Sequence, residues 1–131
     1  MSPVARSLKE LREQGFLAEV VERFNSFSRK RSDLFDCIDI LAIHPPEKMT
    51  FGFQATSNSN IAHRVQKAMK SVKIKEWLRC GQRFEVWGWG KQGPRGKAKH
   101  WVLSKRKLLM MPEGMGWVDG LAIHGAAPQN P

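Results

Sequence analysis

Cysteine is scarce in this chain. The two present, Cys37 and Cys80, each sit inside an apolar segment, no C-x-x-C pair occurs, and the four histidines are scattered. That argues against a disulfide scaffold and against a Cys/His zinc site, and it fits structural thiols in a reduced, cytoplasmic compartment. Long apolar runs are also missing. Nothing approaches the roughly 20 residues of a membrane-spanning helix, and the opening MSPVARSLKELREQG lacks the apolar stretch of a signal peptide. No membrane partner is expected. Negative charge is the third shortage: residues 61–107 hold 14 basic residues against only Glu76 and Glu85.

What is there suits one globular domain. The chain has 131 residues, 41% of them hydrophobic and 26% charged. These ordinary values allow a real core without staples. Residues 1–111 read as that domain. From Pro112 the sequence turns to Gly, Pro and Ala, and 112–131 read as an irregular, mobile tail. Net charge is +10, distributed unevenly: residues 1–49 balance 8 basic against 8 acidic residues. So one-sided a second half should project a positive field from one surface, and nucleic acid is the leading partner, because neutralising phosphates releases counterions. An acidic lipid or protein, or a plainly solvated basic face, is the alternative.

Along the chain, Val4, Leu8 and Leu11 fall at helical spacing over 4–14, and Gly15 stands where a helix ends. Phe16–Phe24 suits a strand. Asn25–Ser32 reads as a loop or ragged hairpin. Leu34–Ile43, apolar at nearly every position, reads as the strongest strand, covered on both faces. Thr50–Thr56 is the next strand. Residues 61–79 read as a basic helical stretch broken near Ser71 and stopped by Gly81. Gln82–Trp89 and His100–Leu109 read as a closing strand pair around a Gly/Pro/basic loop, Lys91–Lys99. The resulting order α-β-β-β-α-β-β predicts an α/β fold, a central mixed sheet flanked by helices.

Three features could carry chemistry. Asp39 interrupts an apolar strand, where a charge is costly unless paired or metal-bound. Gln54 is the polar intruder in the next strand, FGFQATS. The helix after it carries His63, Arg64, Lys67 and Lys70, with 63, 67 and 70 on one face. Asp39, the Gln54 side chain and the Ala55 carbonyl form a candidate oxygen set for Mg²⁺ or Mn²⁺. A metal there suits phosphodiester hydrolysis, with a lysine near it orienting the nucleophile or stabilising developing charge. Candidate nucleic-acid contacts are Arg29, Lys30, Arg31, Arg64, Lys67, Lys70, Lys91, Arg95 and Lys97, and the Lys91–Lys99 loop suits a phosphate clamp.

The run Asp33-Leu34-Phe35-Asp36-Cys37-Ile38-Asp39-Ile40-Leu41-Ala42-Ile43, followed by Phe53-Gln54-Ala55-Thr56-Ser57, resembles the PD-(D/E)XK nuclease superfamily. It is similar to small phage-encoded members related to archaeal-type Holliday junction resolvases, over roughly residues 5–109. The resemblance implies a restriction-endonuclease-like αβββαβ core. It also implies a homodimer and Mg²⁺-dependent cutting of branched or structured DNA in recombination or repair. Ile38-Asp39 stands where the superfamily has Pro-Asp, making Asp39 the metal ligand. Gln54-Ala55-Thr56 stands where Glu-x-Lys is expected, so a carboxylate is replaced by an amide and the lysine by Thr56. Lys67 is the candidate for a lysine moved to the following helix, with Arg64 as a phosphate contact. The resolvase-like glutamate is matched by none uniquely: Glu10 and Glu13 lie in the first helix, and Glu19 or Glu22 could approach from the first strand.

Plainer readings stand beside these. Asp39 could pair with Arg29, Lys30 or Arg31, Gln54 could be a satisfied core amide, and Arg64 and Lys67 could be a solvated helix face. Asp33 and Asp36 read first as loop-end residues. His63 is a less favoured general base. Trp77, Trp87, Trp89 and Trp101 read as sheet packing before base-stacking platforms. The rival function is a DNA-binding module on a nuclease fold with weak or lost cleavage. A third is an inhibitor that binds RNA or protein.

Overall fold

The computed structural model describes residues 1–120 and 122–125. In chain order it runs α1 (Pro3–Glu13), β1 (Leu17–Val20), β2 (Arg23–Asn25), β3 (Lys30–Ser32), β4 (Ile40–His44) and β5 (Met49–Ser57). A 3-10 turn (Asn58–Asn60) leads into α2 (Ile61–Met69) and α3 (Val72–Arg79). Then come β6 (Arg83–Gln92), β7 (His100–Met111), β8 (Gly114–Val118) and β9 (Ile123–Gly125). Seven strands form one sheet in the order β1-β4-β5-β6-β7-β8-β9, while β2 and β3 form a separate hairpin. Among the described residues only β5 and β6 pair in parallel, and α2 and α3 make the crossover that parallel pairing requires. This is the α/β class with a mixed central sheet between helices that the pattern of elements predicts. No helix among the described residues is long and apolar enough to cross a membrane.

Local chemistry sets the helix ends. The Ser2 hydroxyl accepts from the Ala5 N–H at 3.1 Å, with Pro3 in the first turn where it lacks nothing by having no N–H. The predicted break near Ser71 is a true helix boundary. Ser71 caps α3 by accepting from the Ile74 N–H at 3.2 Å. Gly15 and Gly81 follow α1 and α3 at φ +92° and +87°, a region open to glycine at little cost.

Both faces of the sheet are packed. On one, α1 seals Leu11 against Ala18, Ile40, Ala42, Phe51, Phe53 and Trp87. On the other, α2 and α3 bury Val65, Ala68 and Ile74 against Phe84, Val86 and Leu108, with Cys37 and Ile38 beneath. Successive strand residues alternate between the two layers: Phe53 faces α1, while Gly52 and Gln54 face the helical pair.

Three expectations are corrected. Leu34–Ile43 is not one strand. Phe35 and Asp36 lie at φ 50° and 70°, and the Cys37 N–H donates to the Leu34 carbonyl, so residues 34–38 form a tight apolar turn and β4 starts only at Ile40. Nor is β4 covered on both faces, since Ile43 is half exposed. Phe16–Phe24 divides: β1 stops at Val20 and the chain leaves the sheet for the hairpin. The strand at His100 is not the last one. β8 and β9 extend the sheet, with Met115 buried, so 114–118 and 123–125 are not irregular. Glycines at 114 and 116 hide the period-2 signal of β8. Residues 121 and 126–131 of the expected tail lie outside the described residues.

Candidate metal centre

The hairpin β2–β3 builds the site. Its register pairs Arg23 with Ser32. The next residues outward, Glu22 and Asp33, therefore stand opposite each other at its open end. The turn at 34–38 then returns the chain so that Asp39 reaches the same place from the start of β4. One carboxylate oxygen from each of Glu22, Asp33 and Asp39 lies within 4.8 Å of the others. Of the four candidate glutamates, Glu22 is the one that arrives. Glu19 points away, its side chain 84% exposed beside Arg12, and Glu10 and Glu13 lie on α1 across the sheet.

Asp39 is fixed from the backbone. Its N–H donates to the Phe53 carbonyl at 2.8 Å, and its carboxylate accepts from the Ala55 N–H at 2.9 Å. The role shown for Ala55 is thus as a donor to Asp39 through its N–H. Asp39 makes no ion pair among the described residues, so pairing with Arg29, Lys30 or Arg31 is not what keeps it there. Arg31 instead meets Glu22 at 2.8 Å. Burial is the main force pushing the Asp39 carboxyl up, from an ordinary 3.8 to about 8. A hydrogen bond shared with Asp33 and the charges of Asp33 and Glu22 add to it, while the Ala55 N–H pulls the other way.

Gln54 projects from β5 into the same place and is 1% exposed. Its Nε2 donates to Asp33 Oδ2 at 3.3 Å, and its Oε1 is buried without a partner among the described residues. A carboxylate only accepts, so the amide must turn its N–H to Asp33 and leave its oxygen unspent. It is not a satisfied core amide. A buried orphan oxygen beside three carboxylates is a set of hard donors suited to Mg²⁺ or Mn²⁺. Glu22, Asp33, Asp39 and Gln54 Oε1 are the atoms that could hold such an ion. Thr56, two residues on and on the same face, is buried and short. Lys67 is exposed on α2 and lines a cleft of about 410 Å³ with Arg31, Asp33, Cys37 and Lys70. It approaches the acidic group across that cleft, and its charge is felt at Cys37.

The nine basic candidates do not form one surface. Arg31, Lys67 and Lys70 share the cleft, with Arg29 and Lys30 on the exposed hairpin. Arg64 is half-buried and His63 exposed on α2. Arg95 and Lys97 lie in the exposed β6–β7 loop, and Lys91 lies against Trp101 on the far face of the sheet. Asp33, which reads from the sequence first as a loop-end residue, belongs to the site. The available signal was its position one residue after a polar, basic segment that had to fold back on itself. Comparison of the chain with family models, curated proteins and solved structures gives no match in any of the three.

Proposed function

We propose that the chain is a divalent-metal-dependent nuclease of the PD-(D/E)XK kind, hydrolysing DNA phosphodiesters in branched or structured substrates during recombination or repair. One observation carries this reading: three carboxylates cluster beside the buried Gln54 amide, which donates to Asp33 and whose oxygen has no hydrogen-bond partner among the described residues. The strand arrangement agrees with it, because the acidic strand start, the second motif strand, the crossover helices and the parallel β6 follow in the superfamily's order. A cation bound by Glu22, Asp33, Asp39 and Gln54 would supply charge against the phosphate and acidity to a water.

The chain's own residues do the rest. Asp39, held by the Ala55 N–H, fixes the position of the acidic group in the sheet. Arg31 and Lys70 line the approach and would draw a phosphodiester backbone into the cleft. Lys67, on the same cleft, would stabilise negative charge that grows on the phosphate. Cleavage of a long branched substrate by a homodimer is the expected assembly.

A second reading has specific support. Thr56 cannot act as the superfamily's lysine, and Arg31 already neutralises Glu22. Both favour a DNA-binding module with weak or lost cleavage. The experiment that separates them is cleavage of branched, single-stranded and duplex DNA with and without Mn²⁺, by the native chain, Asp39→Ala and Lys67→Ala. The nuclease reading expects metal-dependent products that vanish in Asp39→Ala while DNA binding is kept or tightened. Lys67→Ala should slow cutting more than it weakens binding. Binding without products in every metal would leave the module.

A further inference from the structure

The far face of the sheet carries a second basic surface. Residues of β7 alternate, so Trp101, Leu103, Lys105 and Lys107 point to the face of α1. That helix packs over β1, β5 and β6. Beside it, Trp101 is 42% exposed, and Lys105 and Lys107 are exposed. The cations here are held over indoles. The Arg6 guanidinium carbon lies 3.7 Å from the Trp101 ring centre, with Lys91 Nζ at 5.4 Å. Across the β6–β7 ladder, Lys105 Nζ lies 4.8 Å from the ring centre of Trp87. Among the described residues, Arg6, Lys91, Lys105 and Lys107 form no ion pair. Arg6 Nε is buried without a hydrogen-bond partner. The carboxylate on this stretch of β6, Glu85, is buried and accepts from Trp87 Nε1 at 2.9 Å.

We infer that this strip, Arg6, Lys91, Trp101, Leu103, Lys105 and Lys107, is a docking surface for single-stranded nucleic acid. Four cations that form no ion pair among the described residues, beside a β6 carboxylate that is sequestered, are complementary to a polyphosphate. Indoles already lie against three of them, Arg6, Lys91 and Lys105, and hold those charges in place, so less side-chain freedom is lost on binding. Open sheet faces that interleave aromatics with cations suit single strands, whose bases can splay onto them, better than a stiff duplex. The strip lies on the opposite side of the sheet from Gln54 and does not rest on the metal-site reading. In a branched substrate it would let a second, unpaired strand be held while the acidic group faces another.

Binding of a fluorescein-labelled oligothymidine and of a duplex of equal length, in EDTA so that no cutting occurs, tests this on the intact chain. Lys105→Glu with Lys107→Glu should weaken oligothymidine binding by roughly tenfold or more, and lower the slope of log affinity against log salt by about 1.4. Lys73→Glu with Lys75→Glu, an equal charge change on α3, should alter it less than about threefold, showing that the local surface and not net charge is responsible. Trp101→Ala should cost roughly fivefold for the oligothymidine and less than about twofold for the duplex. Equal losses from the two double variants, or a Trp101→Ala that leaves oligothymidine binding unchanged, would overturn the proposal. Loss of cutting in Asp39→Ala with oligothymidine binding intact would leave it standing whatever becomes of the nuclease reading.

Discussion

Gln54 gives its amide N–H to Asp33 and keeps its oxygen, buried and unpartnered, beside two further carboxylates. An acceptor left so costs free energy in the apo protein, and a cation would recover it. Gln54→Glu tests that account. It keeps the shape, removes the hydrogen bond to Asp33 and adds a fourth carboxylate. Mn²⁺ binding followed by calorimetry should tighten by roughly tenfold, since ligand charge sets affinity in oxygen sites. The metal-free variant should melt lower than the native chain at pH 8. Weaker Mn²⁺ binding together with unchanged melting would mean that no ion is held there.

Stability should depend on pH through Asp39. Its folded carboxyl titrates near 8 against an ordinary 3.8, so the folded state holds the proton more tightly than the unfolded chain does. The stabilisation is complete below about pH 4 and is lost as pH rises through 8. In EDTA the melting temperature should therefore fall between pH 5 and pH 8.5. Asp39→Asn, which cannot ionise, should flatten that fall and melt at least about 5 °C above the native chain at pH 8.5. Mg²⁺ favours the ionised form and should shrink the difference. Parallel melting curves for the two proteins across this range would contradict the assignment.

The residues of this site were legible in unequal degree, for a physical reason. Asp39 and Gln54 announce themselves because a polar side chain inside an apolar run must be satisfied by something. Glu22 and Asp33 carry no such contrast, for they flank a short polar hairpin. Only the Arg23–Ser32 register brings them together, and register is weakly specified in a strand with no buried face. The same limit misread residues 34–38: their apolar side chains serve a turn that is itself packed into the core, with Cys37 and Ile38 fully buried. Helix boundaries were clearer, because Ser71, Gly15 and Gly81 mark chain direction by local chemistry alone. β8 was hidden by glycines whose place is set by neighbours. A Cβ on Gly116 would fall 2.6 Å from the His124 carbonyl oxygen.

The two thiols should differ sharply in reactivity. Cys37 is fully buried, and that burial, with the charges of Asp36, Asp33 and Asp39, pushes its pKa to about 11 against the pull of Lys67. Cys80 is exposed at the end of α3. An aromatic disulfide reagent at pH 8 should titrate one thiol in the native protein and two after denaturation, since the thiolate is the reacting form. Rapid modification of both in the native state would show that the turn at 34–38 opens readily.

Gly52 connects core packing to the site. A Cβ there would lie 2.6 Å from Ile38 Cδ1 and 2.9 Å from its Cγ1, and Ile38 immediately precedes Asp39. Ile38 is fully buried and has nowhere to retreat. Gly52→Ala should therefore cost about 1–3 kcal/mol by overpacking, read from urea unfolding. The displaced Ile38 should also shift Asp39 and weaken Mn²⁺ binding. Ile38→Val removes one methyl at the point of collision, so adding it to Gly52→Ala should recover part of both losses, although alone it destabilises by about 0.5–1.5 kcal/mol. Non-additivity in stability and metal affinity together would tie the acidic group to this contact. Recovery of stability without metal affinity would mean that Asp39 is held by the Ala55 N–H alone.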